Sequence, residues 1–255
     1  MSKISERLTK LGQIERSGFG FGAVSASTKI PVILVGLSVA KAEDAKGFEA
    51  DLYLVGTGTK GSAQSEAVAD ADIWGASVSG GTAKEIEAAI EAGADFIVAE
   101  GDDAPGAALR DDDAGKGYVV GSDVSEDRAK AINSGPFDFL ILDGSELKLP
   151  LSVGAVLGIQ EQLARYSQHI FLTVNQVPDQ TNLELLRDIG ISALIYDADS
   201  ASKSDLKSLR ETIDKLEPKK QKNAAGATLT RPGETTSQEE DHDDHDHDHE
   251  DEDWE

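Results

Sequence analysis

The sequence predicts an α/β chain: eight β–α units closed into a parallel (β/α)8 barrel, with a helix before it and a disordered acidic tail after it. Three observations carry this. Between Ile30 and Leu216, short apolar runs alternate with amphipathic stretches eight times. The runs are almost continuously aliphatic and β-branched, as strands buried on both faces of a parallel sheet must be. Beyond Pro218 the apolar content falls away and acidic residues take over.

Taken in order, Ile4 to Ile14 is amphipathic and predicts a helix. Gly18-Phe-Gly-Phe-Gly-Ala-Val24 predicts a further strand, or a loop whose two phenylalanines pack on the barrel floor. Its glycine comb lacks the Gly-Lys-Ser/Thr ending of a phosphate loop. Residues 1–29 thus form a segment that packs on the barrel. The predicted strands are Pro31–Gly36, Leu52–Gly56, Ile73–Val78, Phe96–Glu100, Tyr118–Gly121, Phe137–Asp143, His169–Val174 and Ala193–Asp197. The helices between them are predicted at Val39–Phe48, Thr82–Gly93, Ser125–Asn133, Leu151–Tyr166, Thr181–Ile189 and Ser204–Leu216. Two more, over Ser62–Ala71 and the Asp/Gly-broken Ala104–Asp113, carry weaker signals. In the clearest helix, Thr82 and Glu85 form a capping box, Ile86, Ala89 and Ile90 make one apolar face, and Gly93 supplies the stop. Eight consecutive units favour closure over an open doubly wound sheet, and residues 30–218 suit a compact member of a fold that typically takes ~250 residues.

Composition narrows the function. The 255 residues hold 48 Asp+Glu against 24 Lys+Arg, a net charge of -24. Such a charge repels phosphate backbones and anionic lipid, so neither nucleic acid nor a membrane is expected as partner. No cysteine is present, which excludes disulfides, Cys-ligated zinc, iron–sulfur clusters and a thiol nucleophile. No apolar run reaches the ~18 residues of a membrane span, and Met1-Ser-Lys-Ile-Ser-Glu-Arg7 has no signal-peptide core. The expectation is a soluble cytoplasmic protein.

The charge is uneven. Gly233 to Glu255 holds 13 acids and no base, while 35 acids against 24 bases leave residues 1–232 at -11. Residues 219–255, a linker and then an Asp/Glu/His-rich run, are too polar to bury a core and are expected to be disordered. Within this tail, His242, His245, His247 and His249 are interleaved with carboxylates, a composition that suits Ni²⁺, Zn²⁺ or Cu²⁺. The alternative is a purely solubilising acidic tail.

In a (β/α)8 barrel, function sits at the C-terminal strand ends. There the sequence places Glu100, Asp123, Asp143 and Asp197 around one opening. Crowded carboxylates raise one another's pKa or hold a divalent cation, so acid/base or metal-assisted chemistry is expected of them, on a small neutral or cationic ligand. Against this, such acids also serve as helix N-caps and solvated loop charges. Glu100 and Asp143 are the best catalytic candidates, because each ends a strongly apolar run and is followed by glycine; Asp123 is the third partner. No lysine ends a predicted strand, which argues against a Schiff-base aldolase, and His169 opens its strand at the far end of the barrel.

The stretch Ile86-Glu-Ala-Ala-Ile-Glu-Ala-Gly-Ala-Asp-Phe-Ile-Val-Ala-Glu-Gly101 resembles the helix-to-strand joint of phosphate-binding TIM barrels. It is similar to the nitronate monooxygenase group and to the 2-keto-3-deoxy-6-phosphogluconate aldolases. Leu183 to Tyr196 occupies the slot of a second such joint. The resemblance implies the barrel fold and, in those families, a phosphate of FMN or substrate held by glycines after the last two strands. Here those strands end Asn175-Gln-Val-Pro-Asp179 and Asp197-Ala-Asp199, so FMN is not favoured. Three readings stand: a small-molecule enzyme working through Glu100 and Asp143, a non-catalytic barrel scaffold with a metal-binding tail, and a divergent flavin enzyme. The cofactor and the oligomeric state are left open.

Overall fold

Eight strands pair in parallel and in chain order: β3 (Leu34–Val39), β4 (Leu52–Gly56), β5 (Trp74–Val78), β6 (Phe96–Ala99), β7 (Gly115–Val119), β8 (Phe139–Asp143), β9 (His169–Thr173) and β10 (Ile191–Asp197). The last closes onto the first, with Ala193 opposite Leu34 and Asp197 opposite Ser38. The chain is a closed TIM barrel. The structure, a computed structural model, describes residues 1–15, 28–56, 68, 71–111 and 113–218. The segment Gly18–Val24, nearly all of the weak helix over Ser62–Ala71, and the tail from residue 219 lie outside the described residues.

Residues two apart on a strand face the same side. Leu34, Leu54, Phe96, Val98, Phe139, Ile141, Phe171 and Ile195 accordingly form one buried cluster inside the barrel. Phe96 meets Phe139 edge-on with ring centroids 5.6 Å apart, and Phe139 stacks on Phe171 at 4.2 Å. Glycines on neighbouring strands give these rings their room. A Cβ on Gly75 would stand 2.3 Å from Phe96, and one on Gly117 would stand 2.5 Å from Phe139. This accounts for a strand that starts earlier than expected. The run expected at Tyr118–Gly121 begins at Gly115, because Gly115-Lys-Gly117, poor in strand propensity, lies where rings occupy the space of missing side chains.

The barrel floor is closed by helix α1 (Lys3–Thr9), whose Ile4 and Leu8 join the interior cluster. Asp95, just before β6, clasps this helix: its two carboxylate oxygens accept the N–H of Lys3 at 2.8 Å and of Ile4 at 2.7 Å. Asp138, just before β8, accepts the Ser5 hydroxyl at 3.1 Å and the Lys116 N–H at 2.8 Å. The helix is shorter than expected. Gly12, at φ +71°, turns the chain into β1 (Ile14–Glu15), which pairs antiparallel with β2 (Thr28–Lys29). The first barrel strand starts later than expected, because Pro31 has no N–H to donate and its carbonyl accepts from Gly12 at 3.2 Å.

The outer layer holds α2 (Ala83–Glu91), α3 (Glu126–Asn133), α4 (Val153–Leu163), α5 (Gln180–Ile189) and α6 (Lys203–Lys215). The expected capping box on Thr82 and Glu85 is present. Two expected helices are not. Val39–Phe48 is reduced to a 3-10 turn at Ala42–Ala45, since β3 runs on to Val39 and Gly47, at φ +81°, ends the turn. Ala104–Asp113 is reduced to a 3-10 turn at Gly106–Leu109, which opens on Gly106, a poor helix former, behind Pro105 as its N-cap. On α6, Arg210 reaches the carboxylate of Asp51 at 2.9 Å, and the other oxygen of Asp51 accepts the Val35 N–H at 2.8 Å. Burial nevertheless raises the Asp51 carboxyl above its ordinary value, with Arg210 pulling it back. Met1–Lys219 clusters as one compact unit, and no described helix is long and apolar enough to cross a membrane.

Candidate functional site at the barrel mouth

The interior register predicts what the mouth presents. Phe96 and Val98 face inward, so Glu100 is the next inward position, and its N–H still joins the sheet through the Val78 carbonyl at 2.9 Å. In the same way Phe139 and Ile141 lead to Asp143, Phe171 leads to Thr173, and Ala193 and Ile195 lead to Asp197. On β5, Gly75 faces the Phe96 ring, so Ser77 is inward too. Three carboxylates and a set of hydroxyls, Ser38, Ser77 and Thr173, therefore form the top layer of the barrel. These hydroxyls are absent from the expected site; their one signal in the sequence is the two-residue step from an inward apolar side chain.

Each acid has its own surroundings. Ser77 Oγ donates to Glu100 Oε1 at 2.5 Å, and Ser77 is buried while the glutamate is exposed. Asp143 Oδ1 accepts the Ser145 N–H at 2.9 Å and the Thr173 hydroxyl at 3.2 Å. These bonds, the Ser145 N–H first, hold the Asp143 carboxyl below its ordinary value, so it is the ionised form that the mouth stabilises. At Asp143 these hydrogen bonds outweigh the desolvation that would raise its carboxyl. Asp197 makes the same kind of turn, accepting the Asp199 N–H at 2.8 Å.

Asp123 stands apart. With β7 ending at Val119, it lies in the loop ahead of α3, exposed, and capping of that helix falls to Ser125 instead. Among the described residues, no group of three or more His, Cys, Asp and Glu side chains could hold a metal ion, so Glu100, Asp123 and Asp143 do not form a ready cation cage. His242, His245, His247 and His249 lie outside the described residues. His169 opens β9 at the barrel floor beside Ser192, where burial lowers its pKa, and takes no part in the mouth.

A closed parallel barrel with a polar, carboxylate-bearing mouth is the class defined by fold and site. No family model matches the chain, and no curated protein matches it. Solved structures do. KGPDC from Streptococcus mutans is similar at a TM-score of 0.52 and 13% identity, over 71% of this chain and 97% of that one. A mutant tryptophan synthase alpha-subunit from the hyperthermophile Pyrococcus furiosus is similar at a TM-score of 0.54 and 10% identity, over 73% of this chain and 98% of that one. At such identities the likeness is one of fold. It does not extend to the nitronate monooxygenase resemblance of the Ile86–Gly101 joint.

Proposed function

We propose that this chain is a small-molecule barrel enzyme whose mouth carboxylates, Glu100 and Asp143, carry acid/base chemistry on an uncharged or cationic substrate. The observation behind this reading is the register: both acids occupy inward positions directly above the packed core, each joined to an inward hydroxyl. Their environments differ, which is how one site supplies two roles. Asp143, fixed by its loop and held ionised, suits electrostatic stabilisation of developing positive charge. Glu100, bonded to a single hydroxyl, suits proton transfer. Asp197 extends the negative rim, and the field of the three disfavours free anions. The mouth of the phosphate-binding barrels is the contrast, since here Asp197 and Asp199 replace the anion-holding glycines.

A second reading, a non-catalytic barrel, is favoured by the use of Asp143 and Asp197 as turn-forming acceptors in their own loops. A third, a flavin enzyme, predicts visible absorbance of the purified protein. The His242–His249 run is proposed as a separate metal-affinity segment that does not depend on the barrel. The test is a carboxyl NMR titration of the whole chain with small polyols and primary amines, with inorganic phosphate as control. Saturable shifts at Glu100 and Asp143 with a polyol or amine, the Asp143 shift being lost in Glu100→Gln, support the enzyme reading. Silence at both acids leaves the scaffold reading in place, and phosphate held near Asn175 or Ala198 overturns both.

A further inference from the structure

The reduced helix after β6 leaves part of the barrel flank uncovered. Where a full helix would lie over β6 and β7, only the Gly106–Leu109 turn is present, and a groove of about 570 Å³ opens between that turn and α3. This lies within the ~300–1,000 Å³ range of small-molecule pockets. Its floor is aromatic: the rings of Tyr118 and Phe137 lie 5.1 Å apart at 37°. Pro105, Ala108 and Ile132 add apolar walls.

One end is polar. Arg128, on α3, donates through Nη2 to Asp102 and, at 3.4 Å, to the Tyr118 hydroxyl, which itself donates to Asp102 at 2.8 Å. The Nε and Nη1 donors of Arg128 meet no acceptor among the described residues, and about half of its side chain is exposed.

We propose that this groove binds an uncharged ring compound bearing one hydrogen-bond-accepting oxygen. The aromatic floor takes the ring, and the spare N–H donors of Arg128 take the oxygen. Charge decides against the alternatives. Asp102 already balances Arg128, so a carboxylate ligand would face the Asp102 carboxylate and an ammonium ligand the Arg128 guanidinium. The site uses none of the mouth acids and stands whether or not the barrel is catalytic.

The probe is acetophenone, added to the full chain and followed by the methyl NMR signals of Ala104, Ala108 and Ile132, with benzoate and benzylamine as charged counterparts. Saturable acetophenone binding at these methyls is expected, with both charged probes at least roughly tenfold weaker. Arg128→Met keeps the stem and removes the donors, so it should weaken acetophenone by about tenfold, the loss of one charge-assisted hydrogen bond. Ala131→Trp, at an exposed position on the groove wall, should abolish binding by filling the space while leaving thermal unfolding unchanged. Absence of saturable binding at the solubility limit, benzoate binding as tightly as acetophenone, or unchanged affinity in Ala131→Trp would overturn the proposal.

Discussion

Gly75→Ala places a single methyl group inside the barrel, and its cost can be worked from the contacts. The new Cβ would stand 2.3 Å from two ring carbons of Phe96 and 2.5 Å from the Phe96 carbonyl oxygen. Comfortable carbon contacts lie near 3.5–4.0 Å, roughly, so the ring must retreat by more than an ångström. It has little room to do so, because Phe139 packs edge-on against it and Phe171 stacks behind Phe139. The carbonyl cannot retreat, since Gly75 and Phe96 are partners in the ladder. Overpacking of this kind costs about 1–3 kcal/mol. Against it stands about 0.4–1 kcal/mol gained by restricting the unfolded chain. Contacts this short belong to the upper half of that overpacking cost, about 2–3 kcal/mol, so the net expectation is a loss of about 1–2.5 kcal/mol, read in urea as a lower midpoint at unchanged slope. Gly158→Ala is the matched control: it lies on α4, where a Cβ meets nothing within 4 Å. There the helix should gain about 0.5–1 kcal/mol. The second substitution Phe96→Leu should recover part of the Gly75→Ala loss, because the two sites share one contact. A Gly75→Ala midpoint equal to or above that of the parent would show that the interior is not packed as described.

Other substitutions bear on other parts of the fold. Arg210→Met leaves Asp51 without its ion partner and should cost about 1–3 kcal/mol near neutral pH. Because burial raises Asp51, the folded state binds its proton more tightly than the unfolded chain; its contribution favours folding at low pH and is lost as pH rises through the folded pKa. The Arg210→Met deficit should therefore shrink on acidification in parallel urea titrations. Asp95→Ala frees the Lys3 and Ile4 amides and should cost about 0.5–2 kcal/mol, with faster amide hydrogen exchange confined to α1. Asp143 has the opposite sign to Asp51: its contribution is present above the ordinary 3.8 and is lost as pH falls through its lower folded value. Thr173→Val, by removing one donor, should move the Asp143 midpoint in carboxyl NMR back toward 3.8.

Much of the barrel was legible because burial on both faces leaves a local mark. The runs that begin at Leu52, Phe96, Phe137, His169 and Ala193 could be read as strands from composition alone, and Thr82 with Glu85 announced its own helix. What was not legible depends on contacts distant in sequence. Gly115 and Gly117 look like loop residues until the rings of Phe96 and Phe139 are seen to occupy their side-chain space. Asp95 reads as part of a helix-to-strand joint and Asp138 as part of a strand; their work, clasping α1 and the strand starts, is done across roughly ninety and twenty residues of chain, and only the folded structure shows it. At the mouth, strand-end position selected Glu100 and Asp143, and the register places both inward. Asp123 was drawn in by a strand expected to end later than it does. The hydroxyls of Ser77 and Thr173 were missed because serine and threonine carry no charge pattern to draw attention to them.

The most direct test of the mouth reading is the titration of Glu100 and Asp143 by carboxyl NMR, carried out with and without a primary amine, in the parent and in Glu100→Gln. If the two acids form one ligand site, the amine shifts both signals with a common saturation curve, and Glu100→Gln weakens binding at Asp143 as well. Should the two signals respond independently, or Asp143 bind the amine equally well in Glu100→Gln, the acids are separate loop anchors and the barrel mouth is not a catalytic site.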